Sequence, residues 1–423
     1  MISKDVLREV LLDARTEVEN QHIVHRNFEM EDFANYVLVG VRRAGKSFLL
    51  YQQMQSNLRK GITWDEMLYI NFEDERLIGM EVSDLNLLLE VHGMLSEKRP
   101  MLFLDEIQNI GGWEKFARRL ADNKYRVYIT GSNAKMLSSD VATTLGGRYI
   151  TKHVLPFNFH EFLLANGVEY DNAKLFSTAF RAEVQRYFAS YYRFGGFPES
   201  ATLKAKRDYL TSVYQKIYLG DIAARHRVDN TFALRILFRK LAESVKQPVS
   251  FTRLTNIVAS TGVKIGKSTI INYMDYCREA FLIYPIKNIA DNLTQRETNS
   301  KYYFVDNGII SLLALDVDTS LLENMVAIEL IRRYGVTDQV FFYNKGVEVD
   351  FYVPEEALAI QVSHTPHKTN DTWQRESSAL VKLSNQLDCR QLLILSYEEE
   401  GSFQVEGKEI CVLPVWKWLL EQI

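Results

Sequence analysis

Cysteine, long apolar runs and a surplus of positive charge are scarce or missing in this 423-residue sequence. Its three cysteines, Cys277, Cys389 and Cys411, are scattered and odd in number, which argues against a disulfide framework or a cysteine zinc site. No run approaches the ~20 apolar residues of a membrane-spanning helix. Residues 1–18 have the pattern of an amphipathic helix rather than that of a signal peptide. We therefore expect a cytoplasmic protein with reduced thiols and no membrane partner.

The charge balance excludes a general attraction to nucleic acid. Lysine and arginine number 50 against 54 acidic residues, which gives a net charge of −4. Any contact with DNA must therefore come from a local basic patch. At roughly 150 residues per domain, the length suggests about three structural units. The 47% of apolar residues and 25% of charged residues are ordinary for globular proteins.

Residues 40–47 are the most informative stretch of the sequence. They read G-V-R-R-A-G-K-S and match the phosphate-binding loop pattern G-x-x-x-x-G-K-[ST] at every defined position. An apolar strand is predicted before them at residues 36–39 and a helical pattern follows, which is the context that the pattern requires. Lys46 would reach the β- and γ-phosphates of ATP, and the Ser47 hydroxyl would bind Mg²⁺. The residues expected to contact nucleotide are Gly40, Val41, Arg42, Arg43, Ala44, Gly45, Lys46, Ser47 and Phe48.

Two adjacent carboxylates follow the apolar strand predicted at residues 101–104. Beside a phosphate loop, Asp105 and Glu106 form a Walker B arrangement. In such a site Asp105 orients the Mg²⁺ shell, and Glu106 polarises a water for attack on the γ-phosphate. The sequence therefore predicts an ATPase with ATP and Mg²⁺ as cofactors, in which Lys46 and Glu106 are catalytic and Ser47 shares the metal with Asp105.

Polar residues also follow the strand predicted at 125–130. Ser132 and Asn133 would lie between Glu106 and the γ-phosphate, where such side chains either hold the attacking water or sense the loss of phosphate, and Asn133 is the expected catalytic residue. Two interpretations of Arg148 stay open. It is either a catalytic arginine finger that stabilises the γ-phosphate of a neighbouring subunit, or a surface arginine beside a glycine turn.

These stretches resemble the AAA+-like P-loop ATPases of bacteria and archaea that carry a C-terminal domain of unassigned function. The similarity rests on V-G-V-R-R-A-G-K-S, Y-I-N-F-E-D-E, F-L-D-E-I-Q, I-T-G-S-N and G-G-R-Y-I, and downstream on R-F-G-G-F-P-E at 193–199 and G-D-I-A-A-R-H-R at 220–227. It covers nearly the whole chain and implies ATP hydrolysis and a homo-oligomer. The resemblance implies an ATPase site at Lys46, Ser47, Asp105 and Glu106, with sensor 1 at Ser132 or Asn133.

Two smaller units are expected next along the chain. Residues 155–228 have mostly helical patterns and would form a lid over the core. Residues 229–290 have winged helix-turn-helix spacing, with helices at 234–245, 250–260 and 267–280. Contact with duplex DNA and contact with a protein are equally open for this unit. The candidate DNA contacts are Lys264, Lys267, Ser268, Thr269 and Asn272.

The C-terminal residues 291–423 resemble a PD-(D/E)XK nuclease core. Their predicted order is helix, three strands, helix and strand, and the resemblance implies that acids, a glutamine and a lysine hold Mg²⁺. The matching residues are Glu329, Asp350 and Gln361, but Ser363 stands where the lysine belongs. Since serine supplies no cation, we expect a nuclease-like fold with little or no cleavage. Ordinary solvated acids remain the alternative for Glu329 and Asp350.

The sequence thus predicts an α/β protein with an AAA+-like P-loop core and a parallel sheet at residues 1–154, followed by the helical lid, the winged helix and the nuclease-like domain. The leading functional hypothesis is a Mg²⁺-dependent ATPase whose ATP or ADP state controls contact of the later domains with DNA. A nucleotide-switched scaffold that binds only proteins and an ATP-gated nuclease are the alternatives.

Overall fold

The structure of the chain is a computed structural model that describes residues 2–315, 318–336, 338–366 and 371–421. The backbone divides into two compact units. The first comprises residues 1–154 together with 279–281, and the second comprises 155–278 and 282–423. Within the described residues, every helix is too short or too polar to span a membrane.

Helices and strands alternate in the first unit. Its leading helix begins where the Ser3 hydroxyl accepts a hydrogen bond from the Val6 amide at 3.2 Å, and this side-chain cap satisfies an amide that the helix leaves unpaired. In chain order the elements are α1 (Lys4–Asn20), β1 (Asn35–Val39), α2 (Lys46–Arg59), β2 (Met67–Asn71), α3 (Asn86–Leu95), β3 (Met101–Asp105), α4 (Trp113–Asp122), β4 (Val127–Gly131), α5 (Ser139–Leu145) and β5 (Tyr149–His153).

The five strands of this unit form one parallel sheet in the order β2-β3-β4-β1-β5. The first four strands are apolar almost throughout and nearly all of their residues are buried, as expected for strands covered on both faces. The prediction of a parallel α/β core is confirmed. Because β1, β3 and β4 end at the same edge, the loop after β1 and the acids at the end of β3 share one side of the sheet.

Two details of this unit differ from the sequence prediction. Strand β5 was not predicted, because its three central residues are exposed and lack the apolar run of a buried strand. The sequence pattern of residues 134–144 favours a single helix, but the structure has a 3-10 turn at Ala134–Leu137 followed by α5. Ser138 separates the two, since its hydroxyl accepts the amide of Val141 at 3.4 Å and starts a new helix.

The second unit begins with helices. A π-helix at Lys216–Ala224 follows the fourth of them and contains most of the G-D-I-A-A-R-H-R stretch. The helices and strands up to residue 304 are α6 (Phe159–Ala165), α7 (Thr178–Phe194), α8 (Pro198–Thr202), α9 (Lys206–Gln215), α10 (Thr231–Glu243), β6 (Val249–Ser250), α11 (Phe251–Ser260), α12 (Lys267–Glu279), β7 (Ile283–Asn288), α13 (Leu293–Thr298) and β8 (Asn299–Phe304).

The remainder of this unit mixes strands and helices. The order helix, three strands, helix and strand that the sequence predicts is present from α15 to β12, and two strands follow it that were not predicted. The elements are α14 (Asn307–Leu313), α15 (Asp318–Tyr334), β9 (Phe341–Asn344), β10 (Glu348–Val353), β11 (Leu358–Val362), α16 (Asp371–Ser384), β12 (Gln391–Ser396), β13 (Gly401–Val405), β14 (Lys408–Pro414) and α17 (Val415–Trp418).

Nine strands of the second unit form one sheet in the order β13-β14-β12-β11-β10-β9-β7-β8-β6. Strand β7 pairs in parallel with β9 through Lys287 and Phe341. The domain boundary expected at residue 290 therefore falls within this sheet rather than between two folded units. Strands β6 and β7 both pair antiparallel with β8, and helices α11 and α12 lie between β6 and β7 in the chain.

The R-F-G-G-F-P-E stretch has a structural explanation in this unit. Gly195 has a φ of 71°, and a Cβ atom there would lie 1.7 Å from a carboxylate oxygen of Asp306. That buried carboxylate accepts the Gly196 amide at 2.6 Å and the Gly308 amide at 2.8 Å. Burial raises the pKa of Asp306 to about 7, although the two amides act in the opposite direction. Gly195 is thus needed for the close approach of backbone to the carboxylate, and Gly196 for a close approach to the carbonyl oxygen of Phe157, which lies 2.1 Å from the position of a Cβ atom there.

Candidate nucleotide site and a second polar cleft

The loop between β1 and α2 has the backbone conformation that phosphate binding requires. Gly45 has a φ of 93° and Arg43 a φ of 66°, both in the left-handed region. A Cβ atom at Gly40 would lie 2.1 Å from the carbonyl oxygen of Val154, so only glycine fits there. Helix α2 begins at Lys46, and its free amides therefore face the interior of the loop.

Lys46 is buried and lies at the centre of this loop. Its ammonium donates to the carbonyl oxygens of Gly40 and Val41, each at 3.2 Å, and lies 3.4 Å from Oε1 of Glu106. The ammonium is thus held at the carboxyl edge of the sheet, beside the second Walker B acid. A triphosphate in the loop would meet a positive charge that is already in place.

Asp105 is fully buried and is held by hydroxyl groups. Tyr69 donates to its Oδ2 at 3.0 Å, Thr130 donates to its Oδ1, and Ser47 also hydrogen-bonds to it. Burial, and then the charge of Glu106, raise the pKa of Asp105 to about 6, although the three hydroxyls act in the opposite direction. The structure therefore brings together the two residues, Ser47 and Asp105, that the sequence assigns to Mg²⁺.

Glu106 follows β3 in a left-handed conformation, with φ 53° and ψ 40°. Its amide donates to the Thr130 hydroxyl at 2.9 Å, and its carboxylate accepts hydrogen bonds from Ser132 at 3.1 Å and from Gln108. Burial would raise the pKa of Glu106, but the charge of Lys46, together with these donors, lowers it below its usual value. The carboxylate is therefore ionised and oriented, as a general base must be.

Asn133 and Arg148 have other partners within the chain. The Asn133 side chain accepts the amide of Lys135 at 2.8 Å and caps a 3-10 turn, so Ser132 is the residue of this pair that contacts Glu106. Arg148 pairs with Asp122 at 2.5 Å. It precedes β5, whose register against the start of β1 places Arg148 at the sheet edge opposite the phosphate loop. Arg148 therefore does not join the nucleotide site of its own chain.

Several residues around this site were not identified from the sequence. Arg26 is buried and donates to the carbonyl oxygen of Ala44 at 3.1 Å, although residues 23–34 have the polar composition that is typical of a solvated loop. Glu73 is a second such residue, since it pairs at 2.8 Å with Arg42, which the sequence already assigns to the phosphate loop. The sequence signal that could have identified further residues is a polar side chain inside or just after a predicted apolar strand. The residues that contact the two acids without having been singled out are Tyr69, Gln108 and Thr130.

In the second unit, the structure separates Glu329 from the two other residues of the predicted nuclease-like set. Glu329 accepts hydrogen bonds from Arg332 at 3.1 Å and from Arg333 at 2.9 Å. Asp350 and Gln361 do lie together, since the Asp350 amide donates to the Gln361 side chain at 2.9 Å. Glu329 is therefore an ion-pair partner on α15 rather than a member of their cluster.

A lysine from another strand occupies the centre of that cluster. The Lys301 ammonium, on β8, lies 3.2 Å from Glu323, 3.2 Å from Glu348 and 3.3 Å from Asp350. Burial would lower the pKa of Lys301, but these carboxylates raise it. Burial, and then the charge of Asp350, raise the pKa of Glu323. A cation thus lies beside Asp350 even though the chain has serine at position 363.

Lys301 is itself the cation of the cluster. In the part of the chain that the structure describes, no three histidine, cysteine or acidic side chains are arranged to hold a metal ion. The cleft above the cluster combines acidic and basic side chains from β10, α15, α16 and the segment around β6. Its charged lining residues are Lys246, Arg253, Glu323, Glu348, Asp350, Asp371, Arg375, Glu376 and Lys382.

The predicted DNA-contact residues lie on the surface of the second unit. Lys264, Lys267 and Asn272 are exposed, while Thr269 is half-buried. Ser268 is also exposed at the start of α12. The polar groups at the amino end of this helix are therefore accessible to a partner.

Removing the Lys301 ammonium should destabilise the second unit. We expect Lys301→Met to lower the free energy of unfolding by about 3–5 kcal/mol, because it leaves several neighbouring carboxylates without their shared cation. Lys240→Met is the matched control, since Lys240 pairs with Glu243 on an exposed helix face at 3.3 Å and should cost less than about 1 kcal/mol. Chemical denaturation of the full chain measures both. Equal effects would contradict the central role of Lys301.

Comparison with known proteins places this chain among uncharacterised relatives. A family model described as an AAA domain matches residues 32–163, and a domain of unknown function, DUF8612, matches residues 185–321. The uncharacterized protein MJ1544 of Methanocaldococcus jannaschii is 34% identical over 436 residues, covering 99% of this chain and 96% of that protein. An uncharacterized protein of Haemophilus influenzae is 34% identical over 405 residues, covering 93% and 96%.

Among solved structures, the Walker-type ATPase PABY2304 of Pyrococcus abyssi matches with a TM-score of 0.37 and 15% identity, over 74% of this chain and 96% of that one. The sequence relatives carry the assignment, because both are matched over nearly their whole length. The chain belongs to one family with MJ1544 and the Haemophilus influenzae protein, and its residues 32–163 form an AAA domain.

Proposed function

We propose that the first unit binds ATP and hydrolyses it with Mg²⁺. The observation that carries this proposal is the position of Glu106, an ionised and oriented carboxylate 3.4 Å from the ammonium of the phosphate-loop lysine. Ser47 and Asp105 would hold the metal, which would neutralise charge on the phosphate oxygens. Their mutual hydrogen bond and the enclosed carboxylate fit a hard cation with oxygen ligands.

The side chains of the site then have separate tasks. Lys46 exchanges its two carbonyl partners for phosphate oxygens and stabilises the charge that develops on them. Glu106 accepts a proton from the attacking water. Ser132 and Gln108 keep the Glu106 carboxylate directed towards the loop. An arginine finger from Arg148 would have to come from a neighbouring copy, and this remains a proposal.

Substitutions of Glu106 and Lys46 should affect different steps, turnover in the first case and ATP binding in the second. Glu106→Gln should bind ATP normally but lose about 100-fold or more in turnover, because the amide cannot accept the proton. Lys46→Ala should lose ATP affinity itself, since the loop lacks its cation. Nucleotide binding by fluorescence and phosphate release measure the two properties. Glu97→Gln, at an exposed acid before β3, is the matched control. A Lys46→Ala protein with the parental turnover would refute this site.

We further propose that the nucleotide state controls contact of the second unit with duplex DNA. Helices α10, α11 and α12 with strands β6, β7 and β8 have the order and antiparallel pairing of a winged helix. Exposed Lys264 and Lys267 at the start of α12 suit phosphate contacts, and Asn272 suits a base edge. Lys246 and Arg253 add positive charge near β6.

Salt-dependent DNA binding tests this second proposal. We expect Lys264→Ala and Lys267→Ala each to weaken binding to duplex DNA and to lower the slope of log K against log salt by about 1, because each removes one phosphate contact. Lys204→Ala, at another exposed lysine of the same unit, should leave both unchanged. Gel shifts over a salt series measure the slope. No shift at low salt would favour a nucleotide-switched scaffold that binds only proteins.

A second candidate function is phosphodiester cleavage by the second unit, and one observation favours it. The absence of a lysine at position 363 argues against cleavage. The Lys301 ammonium, however, lies beside Asp350 and Gln361 and supplies a cation there. If the second unit cleaves DNA, the parent protein nicks supercoiled plasmid in the presence of ATP and Mg²⁺ or Mn²⁺, and Asp350→Asn leaves the plasmid intact because the variant loses the carboxylate beside the Lys301 ammonium. Glu409→Gln, at an exposed acid on β14, is the control. Plasmid left intact by the parent protein removes this candidate.

A further inference from the structure

A chain of four side chains links the leading helix to Asp105. The Tyr69 hydroxyl on β2 donates to Oδ2 of Asp105 at 3.0 Å. The hydroxyls of Tyr69 and Tyr51 lie 3.1 Å apart, and Tyr51, on α2, donates to Oε1 of Glu17 on α1 at 3.2 Å. The phosphate loop and Walker B patterns include neither tyrosine. Hydrogen bonds therefore connect the metal-binding Asp105 to β2 and α1, two elements that lie outside both motifs.

We propose that Tyr69 is a positioning residue for the aspartate that holds Mg²⁺. Its hydroxyl fixes one oxygen of Asp105 while the Thr130 hydroxyl fixes the other, so the carboxylate is held in one orientation before nucleotide and metal arrive. The inference rests on the proposed ATPase function, because it assigns a role within that site. Preorganised ligands bind a cation more tightly, since they lose less conformational freedom on binding.

The burial of Tyr69 supports a role for its hydroxyl. The residue is 4% exposed, and its ring packs edge to face with Tyr51 at a centroid distance of 5.4 Å. A phenylalanine would fill the same apolar space, whereas a buried hydroxyl is costly unless it is hydrogen-bonded. The hydroxyl is useful at this position because Asp105 is a buried carboxylate that needs a donor.

Counting hydrogens separates the roles of the two tyrosines. Each phenol donates one hydrogen, and ionised carboxylates only accept. Two hydrogens therefore serve three contacts, which are Tyr69 with Asp105, Tyr51 with Tyr69 and Tyr51 with Glu17. A metal-binding Asp105 is ionised and takes the hydrogen of Tyr69. Tyr51 then shares its hydrogen between the Tyr69 oxygen and Glu17. Tyr51 therefore acts on Asp105 only through Tyr69, and its removal should have the smaller effect.

The test measures the affinity for Mn²⁺ as a stand-in for Mg²⁺, by electron paramagnetic resonance in the presence of ADP. We expect Tyr69→Phe to weaken Mn²⁺ binding about 10- to 100-fold, the range for losing one hydrogen bond to a charged group. Binding of ADP in EDTA should stay at the parental affinity, because the phosphate loop is unchanged. A loss of both affinities would show a general packing defect and overturn the inference.

Two further variants serve as controls. Tyr51→Phe should weaken Mn²⁺ binding less than Tyr69→Phe, and an equal or larger loss would overturn the assignment to Tyr69. Tyr128→Phe, at a buried tyrosine on β4 whose hydroxyl is not among the groups that hold Asp105, should retain parental Mn²⁺ affinity. If it loses as much as Tyr69→Phe, any buried tyrosine of the sheet has this effect and the inference fails.

Failure of this inference is distinguishable from failure of the proposed function. If the parent protein neither binds ADP nor releases phosphate from ATP, the proposed function fails and Tyr69 has no metal site to position. If the parent protein hydrolyses ATP and Tyr69→Phe binds Mn²⁺ with parental affinity, only the role of Tyr69 is wrong.

Discussion

The first unit depends on the burial of one carboxylate, that of Asp105. An isolated carboxylate in an apolar interior costs far more free energy than a domain has in reserve, so hydrogen-bond donors must surround it. The parallel sheet provides them, because β2 and β4 lie on either side of β3 and supply Tyr69 and Thr130. Ser47 completes the set from the phosphate-loop helix. The order of the strands is thus tied to the chemistry of the site.

The second unit meets the same constraint by a different route. Buried Glu323 and the more exposed Asp350 lie around the ammonium of Lys301, whereas Asp105 is surrounded by neutral hydroxyls. Hydroxyls stabilise a carboxylate without cancelling its charge, so Asp105 keeps its attraction for a cation. An ammonium cancels part of the charge and fills the space between the acids. The first arrangement suits an exchangeable metal, and the second suits a permanently occupied ion cluster.

The phosphate-loop site could be predicted and the Lys301 cluster could not, because the residues of the cluster are far apart in the sequence. The phosphate loop and its Walker B acids are short consecutive patterns whose contacts follow from one strand and one helix. The acid that α15 contributes to the second cluster is Glu323, six residues before Glu329. Six residues correspond to roughly 600° of helix rotation, so the two acids face different directions. Lys301 comes from an earlier strand and no local pattern connects it with Asp350.

The left-handed conformation of Glu106 explains how two neighbouring acids serve one loop. In an extended strand, Asp105 and Glu106 would point to opposite faces of the sheet. With φ at 53° the chain turns immediately after β3, and the Glu106 carboxylate reaches the Lys46 ammonium while Asp105 contacts Ser47. This conformation costs about 1–3 kcal/mol in a residue other than glycine. The Glu106 amide offsets part of that cost by donating to Thr130, whose own hydrogen goes to Asp105. One hydroxyl thus orients both acids, which is why a threonine at the end of β4 belongs to the site.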